Sequence, residues 1–117
     1  MGTGKPIREF LYSDDLAEAI LLVLNKKKQK IFKVCNNSFP IINVGSGSSI
    51  SISSLSKIIS KFSNYTGKII FDKNYSDGTM KKNLNSKIIR SLGWKPKTTL
   101  IEGLKKSIEF YLKNKWI

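Results

Sequence analysis

The sequence contains no histidine and a single cysteine, Cys35. Without histidine there is no Ser-His-Asp or Cys-His arrangement for nucleophilic catalysis, and the commonest zinc ligand is missing. One thiol cannot close an internal disulfide, and with no imidazole beside it a structural zinc site is excluded. Long apolar runs are lacking too. The longest, Ala19 to Leu24, is far short of the roughly 20 residues a membrane helix needs. No apolar stretch follows Met1-Gly2-Thr3-Gly4 in the manner of a signal peptide, so the expectation is a cytoplasmic protein with no membrane partner.

Negative charge is scarce, with 8 acidic against 21 basic residues and a net charge of +13. Such an excess invites a nucleic-acid reading. Only Arg8 and Arg90 carry a guanidinium, however, and every other basic residue is lysine. Base and phosphate readers rely on the planar arginine fork. The lysines are also spread from Lys5 to Lys115, with one dense run at Lys26-Lys27-Lys28-Gln29-Lys30, and aromatic-basic interleaving is absent. Abundant Ile and Asn accompany them, as codon use in an AT-rich genome would produce. A nucleic-acid partner is therefore disfavoured, although the charge still steers anionic ligands.

What is present is an α/β pattern in 117 residues, enough for one domain with a modest core. A Gly-rich turn, Gly2-Thr3-Gly4, and Pro6 lead into a short strand from Arg8 to Tyr12. Ser13 or Asp14 then caps a helix starting near Asp15, with Leu16, Ala19, Ile20, Val23 and Leu24 at helical spacing. Ile31 to Val34 fits either a strand or more helix. Ile41 to Val44 reads as a strand, closed by the turn Gly45-Ser46-Gly47. That turn lacks the third glycine of a dinucleotide fingerprint, since Ile50 stands there, and it reads as structural. Ser51 caps a helix whose buried stripe is Leu55, Ile58, Ile59 and Phe62. Lys68 to Phe71 reads as a short buried strand, and Asp72 to Lys82 as a loop. Ser86 to Leu92 is a short helix closed by Gly93. Thr99 and Glu102 form a capping box for a last helix with an apolar stripe of Leu100, Leu104, Ile108, Tyr111 and Leu112. Phe110, Tyr111 and Trp116 read as core or end packing.

Two places carry candidate chemistry. Arg8, where the glycine turn meets the strand, offers a planar donor fork suited to phosphate or carboxylate; the plainer reading is a surface arginine paired with Glu9 or Asp14. In the loop Ser76-Asp77-Gly78-Thr79-Met80-Lys81-Lys82, a carboxylate beside a glycine turn can accept sugar hydroxyls while the lysines meet phosphates. The plainer reading there is an Asp-Gly turn whose carboxylate bonds its own backbone.

The stretch Gly2 to Ala17, GTGKPIREFLYSDDLA, resembles the segment that opens the substrate-binding part of GDP-L-fucose synthases, which are extended short-chain dehydrogenase/reductases. That family usually reads W-G-x-G-x-P-x-R-E-F-L-x-x-D-D-x-A, and Met1 stands where the Trp would be. The resemblance continues through Ile42-Asn43-Val44-Gly45-x-Gly47, Gly67-Lys68-Ile69, Phe71-Asp72, Asp77-Gly78-Thr79, Leu92-Gly93-Trp94 and Leu100-x-Glu102-Gly103-Leu104. Departures fall in the second loop, usually P-D-G-T-P-R-K: Ser76 and Met80 replace the two prolines, Lys81 the arginine, and Asn85 a following aspartate.

The resemblance implies an α/β C-terminal substrate-binding portion, residues 1–117, lacking the N-terminal Rossmann domain. It implies that Arg8 and Asp77 contact a nucleotide sugar, with Lys82 alongside. The implied partners are a GDP-sugar and either a Rossmann-domain chain or a second copy. In the full-length family NADPH is the cofactor, and GDP-4-dehydro-6-deoxy-D-mannose is epimerised and reduced to GDP-L-fucose. No cofactor or catalytic residue is expected in this chain: the one formal Tyr-x-x-x-Lys, Tyr111 to Lys115, sits at a helix end with no nucleotide loop. A fragment, a truncated product or one piece of a split enzyme, inactive alone, is the expectation. A free-standing sugar-nucleotide binding module is the alternative.

Overall fold

The computed structural model describes residues 2–36 and 39–114. Met1, Trp116 and Lys115 of the formal Tyr-x-x-x-Lys pair lie outside them. In chain order the elements are β1 (Ile7–Glu9), α1 (Ser13–Leu24), α2 (Lys28–Val34), β2 (Ser49–Ser51), α3 (Ile52–Phe62), β3 (Lys81–Lys82), α4 (Lys87–Ser91) and α5 (Leu100–Lys113). β1 is the middle of a three-stranded sheet, antiparallel to β2 and parallel to β3.

The first strand ends at Glu9, earlier than expected, because no described strand pairs with Phe10 to Tyr12. Tyr12 takes the N-cap position of α1 without a side-chain bond. Asp15 is buried instead, and its carboxylate accepts the Thr98 N–H at 2.9 Å and the Thr98 hydroxyl at 3.4 Å. The Trp94 indole N–H donates to the Asp15 carbonyl at 3.1 Å. A buried carboxylate and a buried indole thus join the start of α1 to the chain entering α5, which satisfies both polar groups.

The core is small: Ala19, Ile89, Leu92 and Trp94 are buried together, with Leu11, Leu22, Val23, Ile31, Val34, Ile42 and Val44 packed against them. Ile31 to Val34 resolves as helix, within α2. Two expected strands do not form ladders. Ile42 and Val44 reach the core, but Ile41 to Val44 has no strand beside it among the described residues. Lys68 to Phe71 is irregular, with Ile70 74% exposed. Conversely, Lys81–Lys82, inside the expected loop, pairs with β1.

The remaining helices follow their local signals. Ser51 accepts the Ser54 N–H at 3.1 Å to cap α3. Gly93, at φ 98°, follows α4 in the left-handed region that favours glycine. Thr99 and Glu102 form the reciprocal capping box of α5. The far end of α5 departs from expectation: Tyr111 and Leu112 are each 58% exposed and Phe110 61%, because no described element covers that turn.

Candidate functional site

β1 and the segment from Asp77 to Leu84 run side by side, tied by three rungs. At one end Asp77 accepts the Thr3 N–H (2.6 Å) and the Thr3 hydroxyl (2.5 Å) on its two oxygens. In the middle, the Ile7 N–H donates to the Met80 carbonyl at 2.7 Å, and the parallel pairing sets Ile7 beside Lys81 and Arg8 beside Lys82. At the other end the Leu84 N–H donates to Glu9 at 2.9 Å. The second Glu9 oxygen accepts the Gly47 N–H at 2.5 Å, which binds the Gly45–Gly47 turn to the same strand.

The glycines of the first turn are required by this packing. Gly2 (φ +68°) and Gly4 (φ +72°) both occupy the left-handed region. A Cβ at Gly2 would run into the Asp77 carboxylate, and one at Gly4 into the Phe71 ring. The turn can press against Asp77 and Phe71 only with hydrogen at Gly2 and Gly4 respectively.

The three expected site residues are therefore close in topology. Arg8 is half-buried at the centre of the sheet, between Ile50 on β2 and Lys82 on β3. Its Nη1 donates to the Ile7 carbonyl at 2.8 Å. It pairs with neither Glu9 nor Asp14, since the one ion pair among the described residues is Lys97–Glu18 at 2.7 Å. Among the described residues, its other four guanidinium N–H groups have no hydrogen-bond partner. Lys81 and Lys82 are exposed. Asp77 does not close an Asp-Gly turn on its own backbone; the Gly78 N–H goes to the Ser76 hydroxyl at 3.1 Å. The Thr3 hydroxyl, then the Thr3 N–H, and then more weakly Lys5 hold the Asp77 carboxyl below its usual range. Each Asp77 oxygen keeps a lone pair beyond the Thr3 bond.

Two residues that organise this face were not singled out from the sequence: Thr3, which holds Asp77, and Glu9, which bridges two backbone segments. The signal was a hydroxyl residue between two glycines and a carboxylate flanked by strand residues, and both are commonplace patterns.

The Gly45–Gly47 turn is not shaped as a phosphate cradle. The Gly47 N–H is taken by Glu9, and the chain after the Gly45–Gly47 turn enters strand β2 rather than opening a helix toward a phosphate. No group of His, Cys, Asp or Glu among the described residues could hold a metal ion, and no described helix is long and apolar enough to cross a membrane.

This small α/β unit resembles nucleotide-sugar reductases and epimerases. The model of the NAD dependent epimerase/dehydratase family matches residues 1–36. The GDP-6-OMe-4-keto-L-xylo-heptose reductase of C. jejuni superposes with a TM-score of 0.84 at 34% identity, over 96% of this chain and 32% of that one. More particularly, the chain resembles GDP-L-fucose synthases, as its motifs indicated. The GDP-L-fucose synthase of Sinorhizobium fredii is 39% identical over 97% of this chain. The GDP-L-fucose synthetase of Naegleria fowleri, in a structure with NADP bound, is 28% identical with a TM-score of 0.79, over 97% of this chain and 34% of that one. The chain spans about a third of the length of the curated relatives it matches.

Proposed function

We propose that this chain is the C-terminal, nucleotide-sugar-binding portion of an NADPH-dependent GDP-sugar enzyme of the GDP-L-fucose synthase type. Its own contribution is to hold a GDP-sugar, with Arg8 and Lys82 taking the diphosphate and Asp77 accepting hydroxyl protons. The parallel pairing of β1 with β3 carries this reading, because it sets a guanidinium and an ammonium at neighbouring register positions, with Asp77 upstream on the same segment. Two adjacent cations on a rigid sheet suit a diphosphate, and a carboxylate with spare lone pairs suits a ribose or hexose hydroxyl. Supporting it further are the similarity to GDP-sugar enzymes and a net charge that draws anions toward the chain. The chemical step belongs to residues beyond this chain, with NADPH supplying hydride. A Rossmann-domain chain or a second copy is the proposed assembly partner.

Isothermal titration of the purified chain with GDP tests the reading. Saturable binding that weakens about tenfold or more in Arg8→Ala and Lys82→Ala, but not in Lys113→Ala, is the expected result. Equal affinity in all three variants would replace site binding with diffuse charge attraction.

A further inference from the structure

One residue grips the Asp77 carboxylate by both oxygens. The Thr3 N–H donates to Oδ1 and the Thr3 hydroxyl to Oδ2, across 74 positions of chain. A single hydrogen bond leaves a carboxylate free to swing about it, whereas a bond to each oxygen from one residue fixes its plane. The direction of the hydroxyl is fixed as well. The Lys5 N–H donates to Thr3 Oγ1 at 3.2 Å, so the Thr3 proton is left to Asp77, and the bonds run head to tail from Lys5 through Thr3 to Asp77. Hydrogen bonds in such a chain polarise and strengthen one another. The turn is shaped for this grip. Gly2 and Gly4, on either side of Thr3, are buried and left-handed, and a Cβ at Gly2 would collide with Asp77 Oδ1. Thr3 and Asp77 themselves are only half-buried, which leaves the carboxylate within reach of a ligand. Among the described residues no cation forms an ion pair with Asp77, so its orientation is set by Thr3.

We propose that Thr3 is a positioning residue for hydroxyl recognition: it fixes Asp77 in advance, so that a sugar hydroxyl meets a carboxylate already oriented to accept it. The inference rests on the nucleotide-sugar reading above and adds to it the residue that makes the hydroxyl contact selective. Arg8 and Lys82 meet charge, and charge alone does not separate a nucleotide sugar from inorganic pyrophosphate. Hydroxyl recognition is directional. Each Asp77 oxygen keeps a lone pair beyond its Thr3 bond, and those lone pairs point in set directions only while both bonds hold. The freedom the carboxylate would lose on binding a ligand is lost already on folding, which favours the bound state. The hydroxyl belongs either to the ribose of the nucleotide or to the hexose beyond the diphosphate. Both offer the same donor, and Asp77 lies five positions before Lys82, at most about 17 Å along extended chain.

Isothermal titration of the intact chain, Thr3→Val and Thr3→Ser tests this with inorganic pyrophosphate, dideoxy-GDP, GDP and GDP-mannose. In the wild type a hydroxyl step of about tenfold is expected. It falls between dideoxy-GDP and GDP if the ribose is read, and between GDP and GDP-mannose if the hexose is. Valine matches threonine in shape and keeps the N–H at position 3. Thr3→Val should therefore hold pyrophosphate and dideoxy-GDP within about twofold of wild type and lose the hydroxyl step. Thr3→Ser, which restores the hydroxyl, should recover it. Carboxyl NMR of the free proteins adds a reading independent of ligand, with the Asp77 titration moving in Thr3→Val and returning in Thr3→Ser. A hydroxyl step that survives in Thr3→Val overturns the proposal. So does equal weakening of every ligand, pyrophosphate included, which would make the role of Thr3 structural. A wild type that binds GDP with no hydroxyl step overturns it too, while leaving the diphosphate contacts of Arg8 and Lys82 in place. No saturable binding of GDP by the wild type would remove the nucleotide-sugar reading itself, and this inference with it.

Discussion

The face around β1 and the face around α1 are built in opposite ways. At β1, loops that look irregular are bound to that strand by Glu9 and to the turn before it by Thr3 and Asp77, each bond joining residues 38 or more positions apart in the chain. At α1, the local sequence is a strong helix former with a clear period, yet Leu16, Ile20, Leu21 and Leu24 stay exposed among the described residues. Order therefore does not follow apolar content in this molecule. It follows where long-range polar bonds close, and a regular element can still be the unfinished part of the fold.

The sharpest way to break that contrast is to remove what both faces share. Ile89 is fully buried and lies at the centre of the small cluster with Ala19, Leu92 and Trp94. Ile89→Ala should cost about 2–5 kcal/mol, from lost transfer energy and the cavity left behind. With so few buried residues this is a large part of the total, and loss of cooperative thermal unfolding is the expected reading by circular dichroism. A fall in Tm of only a degree or two would mean that the polar rungs carry the fold without the core.

Glu9→Ala is the next largest effect. It removes both the Gly47 and the Leu84 bond, which free two backbone N–H groups and release two segments from β1. A loss of about 2 kcal/mol is expected, given that bonds to charged acceptors contribute about 1.5–3 kcal/mol each and these lie near solvent. Urea denaturation measures it. The GDP affinity proposed above should fall with it, because Leu84 anchors the segment that carries Lys82. Unchanged affinity in a destabilised variant would separate Glu9 from the site.

The helices were legible in the sequence because their signals are local. The Thr99–Glu102 capping box, the Ser51 cap, the Gly93 stop and the period of α1 each lie within a few residues of the element they define. The strands were not, since a strand exists only where a partner lies beside it. Ile41–Val44 and Lys68–Phe71 have strand composition and no ladder, whereas Lys81–Lys82, with the composition of a loop, is drawn into the sheet by Asp77 and Glu9 on either side. For the site, Arg8 and Asp77 stood out through motif resemblance. Thr3 and Glu9 did not, because their partners are more than 30 positions away and nothing near them announces the bond.

Acid distinguishes the rungs from the packing without any mutation. Thr3 holds Asp77 below its ordinary value of 3.8, and the N–H and hydroxyl of Thr99 hold Glu102 below 4.5. A carboxylate whose folded value is depressed contributes stability that is fully present above the ordinary value and is lost as pH falls through the folded one. Exchange protection of the Thr3 amide should therefore persist at pH 5 and disappear below pH 3.8, and Thr3→Val should raise the Asp77 titration toward that value. Carboxyl NMR reads this directly. Titration of wild-type Asp77 at or above 3.8 would show that the bond to Thr3 is not held in solution.

The smallest effect is the most discriminating, because it asks whether the open face is open in solution. Leu24 lies at the end of α1 with 74% of its surface exposed, and it projects beyond the cluster that Ala19 and Val23 join. Leu24→Gln keeps the length and the helix propensity of the side chain and changes only its polarity. If the α1 stripe is unpartnered in the free chain, stability should move by no more than about 0.5 kcal/mol, as for other exposed substitutions, and solubility should rise as the apolar patch shrinks. A loss above about 1 kcal/mol at low protein concentration would mean that Leu24 is already packed against something in solution. If that loss deepened on dilution, the cover would be a second copy; if it were independent of concentration, the chain itself would be folding back over α1. Either result would make the α1 face as finished as the β1 face, and the contrast between them would then lie in the kind of bond that completes each one.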